Sequence, residues 1–160
     1  MSRGACRANL RYKSVCLGSR GVVHGSRGNL MRQLKIVAVD DDVEFLEPLR
    51  VLLESHDYAV CAARDRNEGM DRIRSEKPDL VVLDIMMSSW LDGLDLAKAM
   101  KADAELKEIP IVMLTAIAEK TGLDFGPKPD GPDWCAAEAY LCKPIEPDVL
   151  LKTIDRLLSP

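Results

Sequence analysis

The chain has 160 residues and a mass of 17.7 kDa, the size of one domain. Hydrophobic residues make up 47% and charged ones 30%, an ordinary soluble composition, and no apolar run nears the roughly 20 residues that span a bilayer. The net charge of −4 hides an acidic body, which argues against nucleic-acid binding by the folded part. Five cysteines (Cys6, Cys16, Cys61, Cys135, Cys142) form no C-x-x-C pair, so free thiols in a reducing cytoplasm are expected over disulfides or structural zinc.

Residues 1–34 hold seven basic side chains and no acidic one. Rich in Gly, Ser and Arg and without periodicity, they are expected to be a disordered leader, or the product of a start upstream of Met31. Lys35–Val39 (KIVAV) predicts a buried strand that ends in Asp40-Asp41-Asp42. Phe45, Leu49, Leu52 and Leu53 then recur at helical spacing, with Asp42 as cap and Pro48 as an irregularity inside the helix. Tyr58–Ala62 predicts a second strand, and Asn67 opens a short helix carrying Met70 and Ile73 that Pro78 ends. Leu80–Leu83 predicts a third strand running into Asp84, and Gly93 precedes a helix with Leu94, Leu96, Ala97 and Met100. Pro110–Leu114 predicts a fourth strand ending at Thr115, and Ala139–Cys142 a fifth ending at Lys143-Pro144. The last helix starts near Pro147, with Leu150, Leu151, Ile154 and Leu158 on its inner side.

Apolar strands alternating with helices imply a doubly wound α/β fold, a five-stranded parallel sheet with helices on both faces. In such sheets ligands bind beyond the carboxyl ends of the strands. Asp40, Asp41, Asp84, Thr115 and Lys143 all fall there. Three carboxylates at one edge repel each other and need a cation or protons to coexist. An oxygen cage of this kind suits Mg²⁺, which keeps waters and leaves room for a phosphate oxygen. One carboxylate can then attack phosphorus, while a lysine and a hydroxyl neutralise charge on the transferring group.

This constellation resembles the receiver family of two-component response regulators across residues 35–160. Val39-Asp40-Asp41 is similar to the family's acidic metal-binding pair, and the VVLDIMM run of Val81–Met87 to its phosphorylation strand. The resemblance implies that Asp84 is the phospho-acceptor and that the Met86 backbone carbonyl joins Asp40, Asp41 and Asp84 around Mg²⁺. Leu114-Thr115-Ala116 matches the switch threonine, and Ala139–Pro144 (AYLCKP) makes Tyr140 the switch aromatic and Lys143 the phosphate-pairing lysine. It also implies the flavodoxin-like strand order 2-1-3-4-5 and a cis peptide at Lys143–Pro144. A histidine kinase or phosphotransfer protein as donor and a downstream protein target follow from the same resemblance, while a cytoplasmic setting without membrane attachment is expected from the free thiols and the lack of a long apolar run. With two residues after Leu158, a stand-alone receiver without an output domain is expected.

Two stretches depart from the family pattern. After the acceptor, Met87-Ser88-Ser89-Trp90-Leu91-Asp92-Gly93 lacks the usual proline and is one residue longer, so a different loop shape is expected, with Trp90 placed to cover the site. Between Thr115 and Lys143, Gly122–Pro132 holds six Gly or Pro in eleven residues, which predicts a shortened fourth helix or a loop in its place. A partner surface around Gly122–Trp134, with Phe125 and Trp134 as anchors, is expected from this. Two alternatives stand beside the receiver: a phosphorylation-independent pseudo-receiver, and a haloacid-dehalogenase-type Mg²⁺-dependent phosphatase. The second would use Asp40-Asp41-Asp42, but it has Glu44 where that family wants Thr or Val and leaves Asp84 unexplained.

Overall fold

The computed structural model describes residues 32–89, 92–116 and 137–159. The basic leader before Arg32, Trp90, and the Gly122–Pro132 stretch with Phe125 and Trp134 lie outside the described residues.

Five strands, β1 (Lys35–Val39), β2 (Ala59–Ala63), β3 (Leu80–Asp84), β4 (Ile111–Thr115) and β5 (Ala139–Cys142), form one sheet in the order β2-β1-β3-β4-β5. Every neighbouring pair is parallel. Among the described residues four helices accompany them: α1 (Val43–Glu54), α2 (Arg66–Glu76), α3 (Asp92–Ala102) and α4 (Pro147–Leu158). The doubly wound architecture is the one expected from the apolar runs, and its flavodoxin-like strand order is the one the family resemblance implies.

The near-continuous apolar strands have a simple cause: both faces of the sheet are covered, so successive side chains enter different cores. Val37, Val39, Val81, Leu83, Ile111 and Met113 pack with Ile73 of α2 and with Leu96 and Met100 of α3. Ile36, Ala38, Leu80, Val82, Val112 and Leu114 pack on the other side with Leu46, Leu49 and Leu53 of α1 and with Leu150 and Ile154 of α4. Charged residues inside the five strands are confined to the ends, at Lys35 and Asp84.

Local signals set the helix boundaries. Asp42 caps α1, its side chain accepting from the Glu44 and Phe45 amides at 2.9 and 3.2 Å. The helix continues through Pro48 even though that residue offers no N–H. Three expectations shift by a residue. Strand β4 begins at Ile111 and not at Pro110. Strand β2 spans Ala59–Ala63, because Tyr58 turns into the core below α1, and α2 opens at Arg66 with Asp65 as its cap. Asp65 accepts from the Asn67 and Glu68 amides at 2.8 and 2.9 Å, satisfying donors that Asn67 could not reach. Helix α2 stops at Lys77, which adopts the left-handed conformation (φ 46°) just ahead of Pro78. Gly93 stands within the first turn of α3, not before it.

A candidate acidic site at the carboxyl edge of the sheet

Strand β1 lies between β2 and β3, so the chain winds to opposite sides of it and leaves a crevice at its carboxyl end. Asp40 and Asp41 follow β1 directly, Asp84 closes β3, Thr115 closes β4, and Lys143 follows β5. The parallel register aligns these ends: Val39 pairs Leu83, Asp84 pairs Leu114, and Thr115 pairs Cys142. The Lys143 amide donates to the Thr115 carbonyl at 2.8 Å, and the peptide that follows, Lys143–Pro144, is cis.

One carboxylate oxygen from each of Asp40, Asp41 and Asp84 can be chosen so that all three lie within 4.8 Å of one another. Asp40 and Asp84 are buried, and Asp41 is open to solvent. Both oxygens of Asp40 are engaged: Oδ1 accepts from the Asp42 amide at 3.0 Å and Oδ2 from Lys143 Nζ at 2.6 Å. Lys143 Nζ also lies 3.3 Å from Asp84 Oδ1 and 4.3 Å from the centroid of the Phe45 ring.

Burial pushes the Asp84 carboxyl up to about 6. Lys143 pulls against that shift, and the charges of Asp40 and Asp41 add to it. Asp40 is likewise raised by burial, with the Lys143 and Asp42 hydrogen bonds opposing. Burial alone would lower the Lys143 ammonium, but its hydrogen bond and ion pair with Asp40 and the charge of Asp84 outweigh this and hold it up. Among the described residues the cluster is therefore short of positive charge: one lysine serves three carboxylates. An all-oxygen donor set, two of its members buried and held above their ordinary range, fits a hard divalent cation.

Thr115 is buried, and Tyr140, opposite Met113 in the neighbouring strand, packs on the core beneath α2 and α3. Strand alternation puts Thr115 on that same face of the sheet. Met86 stands two residues beyond β3, half-buried against the same core. The residues singled out in the sequence thus converge on one edge, with Tyr140 one layer in.

Three features were not legible beforehand. Phe45 beneath Lys143 is one; its spacing marked it only as an apolar helix residue. The second is Asp92, which accepts from Ser88 Oγ at 2.8 Å, Ser89 N at 2.8 Å and Ser89 Oγ at 2.9 Å. Those bonds hold its carboxyl below the usual range and tie Ser88 and Ser89 to the start of α3. The third is Gly93, pressed against the backbone of Asp84 and Ile85; the Asp-Gly pair was the available signal.

The sequence matches the family model described as the response regulator receiver domain over residues 36–155. It is 33% identical over 125 residues to protein PilH of Pseudomonas aeruginosa, covering 78% of this chain and 98% of PilH. It is 37% identical over 129 residues to the response regulator MprA of Mycolicibacterium vanbaalenii, of which it spans only half. The fold superposes on the Vibrio cholerae chemotaxis protein CheY4 with a TM-score of 0.66 at 27% identity, over 79% of this chain and 99% of that one.

Proposed function

Because the chain belongs to the response regulator receiver family of two-component signalling, we propose that it accepts a phosphoryl group on Asp84. The observation that carries this reading is the placement of Asp84: buried at the end of β3, clustered with Asp40 and Asp41, and 3.3 Å from Lys143. Asp40 is the weaker nucleophile of the two buried carboxylates, since both of its oxygens already accept hydrogen bonds. That also weighs against a phosphatase working from Asp40.

The donor is a phosphohistidine of a histidine kinase or phosphotransfer protein. An Asp84 oxygen forms the new O–P bond as the donor's N–P bond breaks, and the electron pair leaves with the imidazole. Lys143, already between Asp40 and Asp84, turns its ammonium to the phosphoryl oxygens and offsets their charge. The Thr115 hydroxyl donates to another of those oxygens, and Tyr140 follows it, changing the neighbouring face for a downstream protein partner. Asp40, Asp41, Asp84 and the Met86 carbonyl would hold a Mg²⁺ ion, which supplies the positive charge that the cluster lacks and polarises the phosphoryl group. Residues 35–160 form the receiver, which Leu34 joins by packing on the α1/α4 core and accepting from the Ala59 amide at 2.8 Å, with the basic segment before Arg32 as a leader.

Incubation with a small acyl phosphate, with and without Mg²⁺, tests the proposal. Acid-labile label that requires the cation, maps to Asp84 and disappears in Asp84→Asn is expected. Label that survives Asp84→Asn and is lost in Asp40→Asn would point instead to a phosphatase-type nucleophile. A fully folded protein that never takes label would support a phosphorylation-independent interaction module.

A further inference from the structure

Four groups close a ring around the acidic site. The Asp42 amide donates to Asp40 Oδ1 at 3.0 Å, and the Asp42 side chain in turn caps the Phe45 amide at 3.2 Å. The Phe45 ring lies under Lys143 Nζ, 4.3 Å from centroid to nitrogen, and Lys143 returns to Asp40 Oδ2 at 2.6 Å. We propose that Phe45 is a positioning residue that holds the Lys143 ammonium over the site through its ring face.

The argument starts from the lysine itself. Its four-carbon stem is flexible and its ammonium is a point charge without the preorganised fork of an arginine. Salt bridges to Asp40 and Asp84 fix it while those carboxylates are free. Both are also the groups that a cation, or a phosphoryl group on Asp84, would claim. The ring face is a second hold that neither event removes, because the attraction of an ammonium for an aromatic quadrupole needs no carboxylate. Phe45 can provide it because its backbone is fixed in the first turn of α1 by the Asp42 cap, and its ring is partly withdrawn from water against the α1/α4 core. An aliphatic side chain of similar volume would fill the space and keep the helix, but would offer no face.

This inference rests on the phosphoryl-accepting role of Asp84, so its test has one arm that needs no phosphate. In that arm the Lys143 ε-methylene signal, assigned by its loss in Lys143→Met, is followed by NMR in the metal-free protein and again with Mg²⁺. An upfield ring-current shift is expected in the parent and in Phe45→Tyr under both conditions, and its loss in Phe45→Leu. In the second arm, the rate of labelling by an acyl phosphate should fall about 3- to 10-fold in Phe45→Leu and be restored in Phe45→Tyr. A lysine signal without ring-current shift in the parent, or one that vanishes on adding Mg²⁺, would overturn the proposal. So would equal labelling losses in the leucine and tyrosine variants, which would make the ring mere packing. Failure of the parent to take label sinks the phospho-acceptor reading, and the role of Phe45 with it, even where the ring-current arm upholds the contact itself.

Discussion

Gly93 approaches Asp84 so closely that a Cβ on it would stand 2.0 Å from the Asp84 carbonyl oxygen and 2.8 Å from the Ile85 Cα. Its amide donates to the Ile85 carbonyl at 3.2 Å, so α3 is laid directly on the turn that leaves β3. No side chain fits there, because the obstacle is backbone and cannot rotate away. Gly93→Ala should therefore destabilise the protein by about 2–3 kcal/mol, at the upper end of overpacking costs. Because the displaced backbone is that of Asp84, Mg²⁺ binding should weaken as well. Chemical denaturation and a Mg²⁺ titration of the folded variant check both, and an unchanged midpoint with unchanged metal affinity would refute the packing account.

The acidic cluster should be a liability until a cation arrives. The Asp84 carboxyl titrates near 6 in the folded protein against an ordinary 3.8, so the folded state keeps a proton that the unfolded chain has already lost. Stability contributed by this group is thus full below about pH 4 and falls as pH rises through 6. Asp84→Asn removes the charge and should raise the metal-free melting point at pH 7. The gain is about 1–2 kcal/mol once solvent screening is allowed for. Millimolar Mg²⁺ should stabilise the parent and do much less for the variant. Calorimetry at pH 5 and pH 7, with and without the ion, gives the four comparisons. A variant less stable than its parent at pH 7 without metal would show that burial and repulsion were misjudged.

Lys101 and Glu138 fasten the entry to β5. Glu138 accepts from the Ile111 amide at 2.6 Å and from Lys101 Nζ at 2.7 Å, and the same ammonium donates to the carbonyls of Lys107 and Ile109 at 3.0 and 3.1 Å. Lys101→Met leaves two carbonyls and a carboxylate short of a donor at a half-buried position. A loss of about 1–2 kcal/mol is expected, and protection of the Ile111 and Glu138 amides from exchange should fall. A cost confined to a few tenths of a kcal/mol would class the contact with ordinary surface pairs.

How much of this was legible in the sequence depends on the range of the interaction. The strands are readable because each is a short, unbroken apolar run, and that pattern has only one use when both faces are covered. Asp40, Asp84, Thr115 and Lys143 are readable because polar residues that close such runs must gather at one edge of a parallel sheet. The start of α2 was within reach too. Asp65 and Glu68 have the spacing of a capping pair, although Glu68 accepts from the Arg64 amide and not from its usual target. The contact of Phe45 with Lys143 spans 98 positions and depends on where β5 ends relative to α1. No local pattern encodes that. The Ser88–Asp92 clasp is the intermediate case: the residues are only four positions apart, but serine and aspartate can hydrogen-bond locally in several ways, and only the laying of α3 on β3 selects this one.

Tyr58 and Asp155 join the two ends of the fold's α1/α4 side. The Tyr58 hydroxyl, at the mouth of β2, donates to Asp155 Oδ1 of α4 at 2.6 Å, while the ring is buried with Leu53 and Ile154 in the same core. Desolvation, the hydrogen bond and the Asp155 charge together push the phenol up to about 12 from 10.0. Between those values the unfolded chain releases the proton and the folded protein keeps it, so stability should fall as pH rises from 10 to 12. Tyr58→Phe keeps the ring and removes the hydroxyl. At pH 7 it should cost about 1–2 kcal/mol, the range for a hydrogen bond to a charged acceptor that solvent can partly replace. At pH 11 the difference from the parent should shrink, because the parent has then lost part of what the hydroxyl contributes. Denaturation curves at the two pH values decide the matter. A difference that stays constant would show that the hydroxyl is not held by Asp155 in solution, and one that widens would reverse the sign of the linkage.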